Sequence, residues 1–208
     1  VSEVSESGHL KSENAEHAVA LLKRAKVPGF VFPARNGWVS FVYPPGDENR
    51  FDIAQANEKL LVLYEYAAEH GCWVTVYQAK KPITRLKAAF DRPNAVFDRR
   101  AFESLELLSP LSAAAIDAWI KRAHVHHERL RSPHLVAERL HLPRFAWFSH
   151  LSERTTATPD PQRIEVLENG SVKRPPKPVA PHVAVAVPKK RGKKKPAPKK
   201  KASKKKKK

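Results

Sequence analysis

Acidic residues are missing from the last 36 positions of this 208-residue chain. From Lys173 to Lys208 there are 17 Lys and Arg and no Asp or Glu, while the whole chain holds 39 bases and 21 acids, a net charge of +18. The first 172 residues therefore carry 22 bases against 21 acids and are close to neutral. The pI near 10.2 is thus a property of one end, the mark of an interaction arm joined to an ordinary domain. Cysteine is nearly absent: Cys72 stands alone, which excludes an internal disulfide and fits a reducing compartment. No apolar run approaches the roughly 18 residues that span a bilayer. The opening VSEVSESGHLKSEN has no apolar stretch and does not read as a signal peptide. A Gly-rich phosphate loop, a G-x-S-x-G elbow, CxxC pairs and a paired-carboxylate motif are all lacking, so the sequence implies no cofactor. Aromatics are not lacking, and all four Trp, four Tyr and nine Phe precede Lys173.

These features predict an α+β fold: a single domain over 13–172, with small antiparallel hairpins and about five helices, between a disordered arm at 1–12 and a basic tail. Ser12 is expected to cap a helix over 13–25, with Ala15, Ala18, Leu21, Leu22 and Ala25 on its inner face and Val27-Pro28-Gly29 as its stop. Asn36-Gly37, between aromatic and β-branched runs, predicts a hairpin of strands near 30–34 and 38–43. The apolar positions Ile53, Ala56, Leu60, Leu63, Tyr64 and Ala67 predict the longest helix, over 51–70, closed by Gly71. Residues 72–78 alternate as a strand and 83–90 are expected to pair with it. Short helices follow at 102–108, from Ser112 with Ala115, Ile116, Trp119, Ile120 and Ala123 inward, and from Pro133. Residues 144–151 fit helix or strand, and Asn169-Gly170 predicts a last hairpin over 164–174. Beyond it, 173–188 is a Pro-interrupted spacer and 189–208 is Lys/Pro/Ala of low complexity, too poor in apolar surface to offset chain entropy.

The tail carries the leading functional expectation. Lys189, Lys190, Arg191, Lys193, Lys194, Lys195, Lys199, Lys200, Lys201, Lys204, Lys205, Lys206, Lys207 and Lys208 would bind phosphates by displacing condensed counterions. With about eight charges engaged on DNA, affinity would fall on the order of 10⁴-fold between 50 and 200 mM salt. The tail has no Asn or Gln and only two Arg, so this binding would ignore base sequence. Over roughly 188–208 the composition resembles the tails of linker histones and of some bacterial nucleoid proteins. That resemblance implies a nucleic-acid partner, DNA or RNA, and a cytoplasmic, nucleoid-associated location (nuclear in a eukaryote, where KKRGKKK would serve as a localisation signal). An anionic membrane, polyphosphate and a merely solubilising role remain open readings.

Residues 134–151, HLVAERLHLPRFAWFSHL, resemble the helix-turn-helix of bacterial transcriptional regulators through Val136-Ala137, Leu140, the turn His141-Leu142-Pro143, Trp147 and Leu151. The resemblance implies that Arg144, Ser149, His150 and Arg154 face a groove or phosphates, with the 164–174 hairpin as a wing. His141 stands where Gly is usual, and Phe145 and Phe148 stand where short polar residues usually face DNA. Residues 112–172 hold 8 bases and 7 acids, which favours the other reading, that this segment is core.

A metal reading exists for His124, His127 and Glu128, which share a helical face, with His134 or His141 as a further ligand. The order is H-x-x-H-E, not the zinc-protease H-E-x-x-H, and solvated surface histidines explain it more simply. Cys72 lies beside His70, but a nucleophilic pair needs convergence in space, and a buried structural thiol is the simpler expectation. Phe-Asp-Arg recurs at 90–92 and 97–99, as charges near a helix start or as an Arg/Asp substrate site. Three functions thus stand: a non-enzymatic nucleic-acid-associated protein; a protein-interaction or immunity-type α+β domain localised by its tail; and a histidine-dependent metal hydrolase.

Overall fold

The Asn36-Gly37 turn organises the first half of the fold. Both residues have positive φ, 53° and 77°, the pairing that suits a two-residue hairpin turn. It joins β2 (Gly29–Val31) to β3 (Trp38–Val42), which pair antiparallel. In the computed structural model the described residues are 4–67, 70–90, 95–122, 133–144 and 149–176. Within them the remaining strands are β1 (Val4–Lys11), β4 (Leu60–Ala67), β5 (Gly71–Gln78), β6 (Lys81–Ala89), β7 (Ala95–Phe97), β8 (Ile164–Val166) and β9 (Val172–Lys173). All nine form one antiparallel sheet in the order β7-β6-β5-β4-β1-β3-β2-β8-β9. The six described helices are α1 (Ala15–Ala25), α2 (Asp47–Ala56), α3 (Arg99–Ser104), α4 (Pro110–Arg122), α5 (Pro133–Arg139) and α6 (His150–Thr155). The α+β class expected from the sequence is the class found.

Two helical layers cover opposite faces of the sheet. On one face α1 and α2 bury Leu21, Leu22 and Ile53 against Leu10, Val39, Phe41, Leu61 and Leu63. On the other, Phe102 of α3, Ile116 and Trp119 of α4, Val136 of α5 and the following Leu140 pack against Trp38, Val62, Tyr64, Val74 and Val76. A smaller cluster of Phe30, Phe32 and Val42 lies on β2 and β3.

Three expectations are corrected. Residues 4–11 are not an arm: β1 is central and pairs with both β3 and β4. Its polar residues are satisfied inside the protein, which is why hydropathy concealed it. The helix expected over 51–70 ends at Ala56, and Leu60–Ala67 is β4. Leu61 and Leu63 face α1 and α2 while Val62 and Tyr64 face the opposite core, so both sides are apolar and the period-2 signal vanishes. Gly71 therefore opens β5 rather than closing a helix, and a Cβ there would lie 2.3 Å from the Ala88 carbonyl oxygen. Finally, the folded unit runs to Pro176 rather than to 172. Lys173 belongs to β9, and Arg174 forms a two-pronged pair with Glu16 on α1.

Helix starts also differ in detail. Asn14, not Ser12, caps α1 by accepting from the Glu16 N–H at 2.9 Å, while Ser12 Oγ accepts from the Asn14 N–H. Ser109 takes the role expected of Ser112, accepting from the Ser112 N–H at 3.2 Å. Asp98 caps α3 and Arg99 pairs with Glu103, so the second Phe-Asp-Arg serves a helix start. Strands 71–78 and 81–89 and the 164–173 hairpin lie where the sequence predicts strands.

Candidate functional site

The helix layers leave part of the sheet uncovered. On the α2 side of β5 and β6, Tyr77 packs against the α1–α2 core, and beyond it the sheet is more open. There Arg85 and Lys87 are exposed, and Trp73, Thr75 and Tyr77 are half-buried. Cross-strand pairing fixes their order: Glu65, Trp73, Lys87 and Val96 stand abreast on β4 to β7, and Leu63, Thr75 and Arg85 form the next row. Ile83, 40% exposed, extends the same side past a bulge between Val76 and Tyr77. Residues 71–90 contain Lys80, Lys81, Arg85 and Lys87 and no acid. The face is thus basic at β6 and aromatic at β5.

At its β4 edge lies a cleft of about 270 Å³ with a charged floor. Arg50, from α2, is the hub. Its Nε sits 3.2 Å from Glu6 Oε1, its Nη2 lies 2.6 Å from Asp47, and its Nη1 pairs with Glu65. Tyr43 donates its hydroxyl to Glu6 Oε1 at 3.1 Å. Burial pushes the Glu6 carboxyl up to about 7, against the pull of Arg50 and the Tyr43 hydrogen bond. Burial and the neighbouring Glu6 charge also hold the Tyr43 phenol well above its ordinary range. A carboxyl titrating near neutrality beside a guanidinium gives the cleft both a donor and an acceptor edge. Arg50, Glu65, Trp73 and Thr75 also border the shallow basic hollow that reaches Arg85 and Lys87. Cleft and face are therefore continuous.

A second polar constellation lies sealed inside the sheet. Ser7 Oγ is 3.0 Å from His9 Nε2, His9 Nδ1 is 3.0 Å from Ser40 Oγ, and Ser40 donates to the Pro143 carbonyl at 3.0 Å. Because the Ser40 proton goes to Pro143, Ser40 accepts from Nδ1–H, and Nε2 accepts from Ser7. Burial pushes the His9 imidazole down to about 3, so it is neutral at ordinary pH. All three side chains are 0% exposed, so no substrate reaches them, and the chain serves to cross-link β1, β3 and the segment after α5.

The sequence-derived candidates are distributed differently. The tail lysines and arginine from Lys189 to Lys208 lie outside the described residues, as do His124, His127, Glu128, Phe145, Trp147 and Phe148. His141 is exposed and departs from helical geometry with φ 53°. Among the described residues no group of His, Cys, Asp and Glu is arranged to hold a metal. Within the helix-turn-helix resemblance, Val136, Ala137, Leu140 and Leu142 are core. The Arg144 guanidinium lies 4.8 Å over the Phe32 ring and pairs with Asp160. Ser149 caps α6 through a reciprocal bond with Ser152. His150 stacks on Phe30 at 5.3 Å between centroids, its imidazole held below the ordinary value by burial and by Arg154. Of the four groove-facing candidates only Arg154 is exposed. The hairpin that would be the wing continues the sheet through pairing of β8 with β2. His150, Leu151 and Arg154 border a separate groove of about 780 Å³ with Pro28, Pro44 and Glu165. Cys72 is fully buried, and burial pushes its thiol up to about 12, with Tyr64 rather than His70 as its hydrogen-bond partner.

Sequence reasoning missed Glu6, Arg50, Glu65, Arg85 and Lys87. The first three come from segments far apart in sequence and carry no local signature. Arg85 and Lys87 had one: a twenty-residue stretch, 71–90, without an acid, in which Trp73 and Tyr77 share a strand face. No family model, curated protein or solved structure matches the chain. Among the described residues no helix is long and apolar enough to cross a membrane.

Proposed function

We propose that this is a non-enzymatic nucleic-acid-associated protein, in which the Lys-rich tail provides sequence-independent attraction to phosphate and the folded domain adds a basic sheet face. The observation that carries this reading is charge segregation. A domain that is near neutral as a whole collects Lys80, Lys81, Arg85 and Lys87 on one acid-free hairpin, and the chain ends in a second acid-free segment. Among the described residues neither Arg85 nor Lys87 has an ion-pair partner, and both are exposed. Fifteen of the seventeen terminal bases lie beyond Pro176, outside the folded unit. Such a protein would lie on nucleic acid, in the cytoplasm or nucleoid, and select little by base sequence.

Charge reversal on the face tests the domain's share. In the full chain, Arg85→Glu with Lys87→Glu is expected to weaken binding to a nucleic acid about tenfold or more. The slope of log affinity against log salt should become shallower by about two. Anisotropy titrations at several salt concentrations read both quantities. An unchanged slope and affinity would remove the sheet face from the reading.

A further inference from the structure

The geometry points to a nucleotide site on the uncovered sheet face, at which an unpaired nucleobase stacks on Trp73 while its phosphates lie on Lys87 and Arg85. This rests on the nucleic-acid reading above and narrows it from polyanions in general to single strands.

Three observations converge on it. Trp73 is half-buried on an open face, directly abreast of Lys87, so an aromatic surface and a cation lie one strand spacing apart, about 5 Å. Arg85 follows Lys87 on the same side of β6, about 7 Å further along, which makes a short row of positive charge parallel to the aromatic strand. On the far side of Trp73 stand Glu65 and Arg50, joined to each other and both lining the cleft. The order across the strands is thus phosphate-binding cations, a stacking ring and hydrogen-bonding groups, which matches the order of phosphate, base face and base edge in a nucleotide.

Charge complementarity decides the occupant. The cations of the hairpin are not balanced by any acid within 71–90, and the carboxylate nearest Trp73 is already taken by Arg50. A duplex hides its base faces in the stack and presents only edges in its grooves, so a ring lying in a sheet surface gains nothing from it. An unpaired strand exposes a π-face at every base, and stacking on an aromatic side chain adds sequence-tolerant affinity.

The test uses the full chain, so that the tail acts equally in every arm. Trp73→Ala is expected to weaken binding of single-stranded oligonucleotides, RNA and DNA alike, about tenfold or more. Binding of a duplex of equal length and of inorganic polyphosphate should change by less than about twofold, since neither offers an unpaired base. Trp73→Phe keeps a ring and should retain most single-strand affinity. Equal losses on all three probes would overturn the site, as would no loss on single strands. Photo-crosslinking of the unmodified chain to a single strand gives a second readout that needs no variant. Adducts on the 72–79 peptide are expected, and adducts found only elsewhere would overturn the inference even if Trp73→Ala does not fold. Failure of the unmodified chain to bind any probe at low salt would instead sink the nucleic-acid reading itself, and the site with it.

Discussion

Replacing Gly8 by Ala is expected to destabilise the fold by about 3 kcal/mol or more, at the upper end of what a single added methyl does in a packed interior. Gly8 sits in the central strand and pairs with Phe41 on β3 and Leu63 on β4. The outer edge of the Phe41 ring abuts it: a Cβ at this position would stand 2.2, 2.5 and 2.7 Å from Cζ, Cε2 and Cε1. The ring cannot swing aside, because Phe41 is fully buried in the layer shared with α1 and α2. Chemical denaturation reads the loss. The cause is tested by pairing the change with Phe41→Leu, which removes the obstructing ring edge. The double variant should be more stable than the sum of the two single losses allows, and strict additivity would show that the clash is not the reason.

The second large effect concerns pH. Two buried groups of β1 titrate away from their ordinary values in opposite directions. Glu6 is raised from 4.5 to about 7, so the folded chain keeps a proton that the unfolded chain has released between these values. Its contribution is full below about pH 4.5 and is lost as pH rises toward 7. His9 is lowered from 6.5 to about 3, so the unfolded chain binds a proton that the folded one refuses. Its contribution is full above about pH 6.5 and is lost as pH falls toward 3. Between about pH 4.5 and 6.5 the two slopes oppose each other, and the unmodified chain should show a shallow dependence. Glu6→Gln keeps an acceptor for Tyr43 and Arg50 but removes one slope. Its stability should therefore climb with pH across this window, gaining on the unmodified chain by roughly 3 kcal/mol at most by pH 7.5. Unfolding free energies measured across the range check this. Parallel curves for the two proteins would show that Glu6 does not titrate as its burial requires.

The same two residues explain what the sequence concealed. Val4–Lys11 reads as a polar arm because its serines, Glu6 and His9 look like surface chemistry. Inside the fold His9 meets Ser40 of β3, 31 residues away, and Glu6 meets Tyr43, 37 residues away, and Arg50 of α2, and no local pattern announces such partners. Leu60–Ala67 misled for the opposite reason. Both its faces are buried, and a run of apolar residues without alternation fits a helix as well as a central strand. Where the signal is local, sequence and structure agree: the Asn36-Gly37 and Asn169-Gly170 turns, the alternation of Cys72 to Gln78, and the inner face of α1. The candidate site divides in the same way. The basic and aromatic character of 71–90 is written in consecutive residues. The Glu6–Arg50–Glu65 cluster beside it exists only because β1, α2 and β4 converge.

Folding also separates two kinds of positive charge that composition adds together. Arg50, Arg144, Arg163 and Arg174 are all engaged in ion pairs within the domain. Among the described residues Arg85 and Lys87 are unpaired, and they stand exposed on the α1–α2 side of the sheet, on β6. Net charge alone would have assigned all polyanion binding to the tail.

The most direct test is a salt series on duplex and single-stranded nucleic acid, comparing the full chain with a chain ending at Pro176, where the folded unit stops. The full chain is expected to lose on the order of 10⁴-fold in affinity between 50 and 200 mM salt, with about eight phosphate contacts. The shortened chain should bind far more weakly at the lower salt, with a slope reduced to about two contacts, and should keep a preference for single strands. Equal affinity and equal slope for the two chains would contradict the division of roles between tail and sheet face.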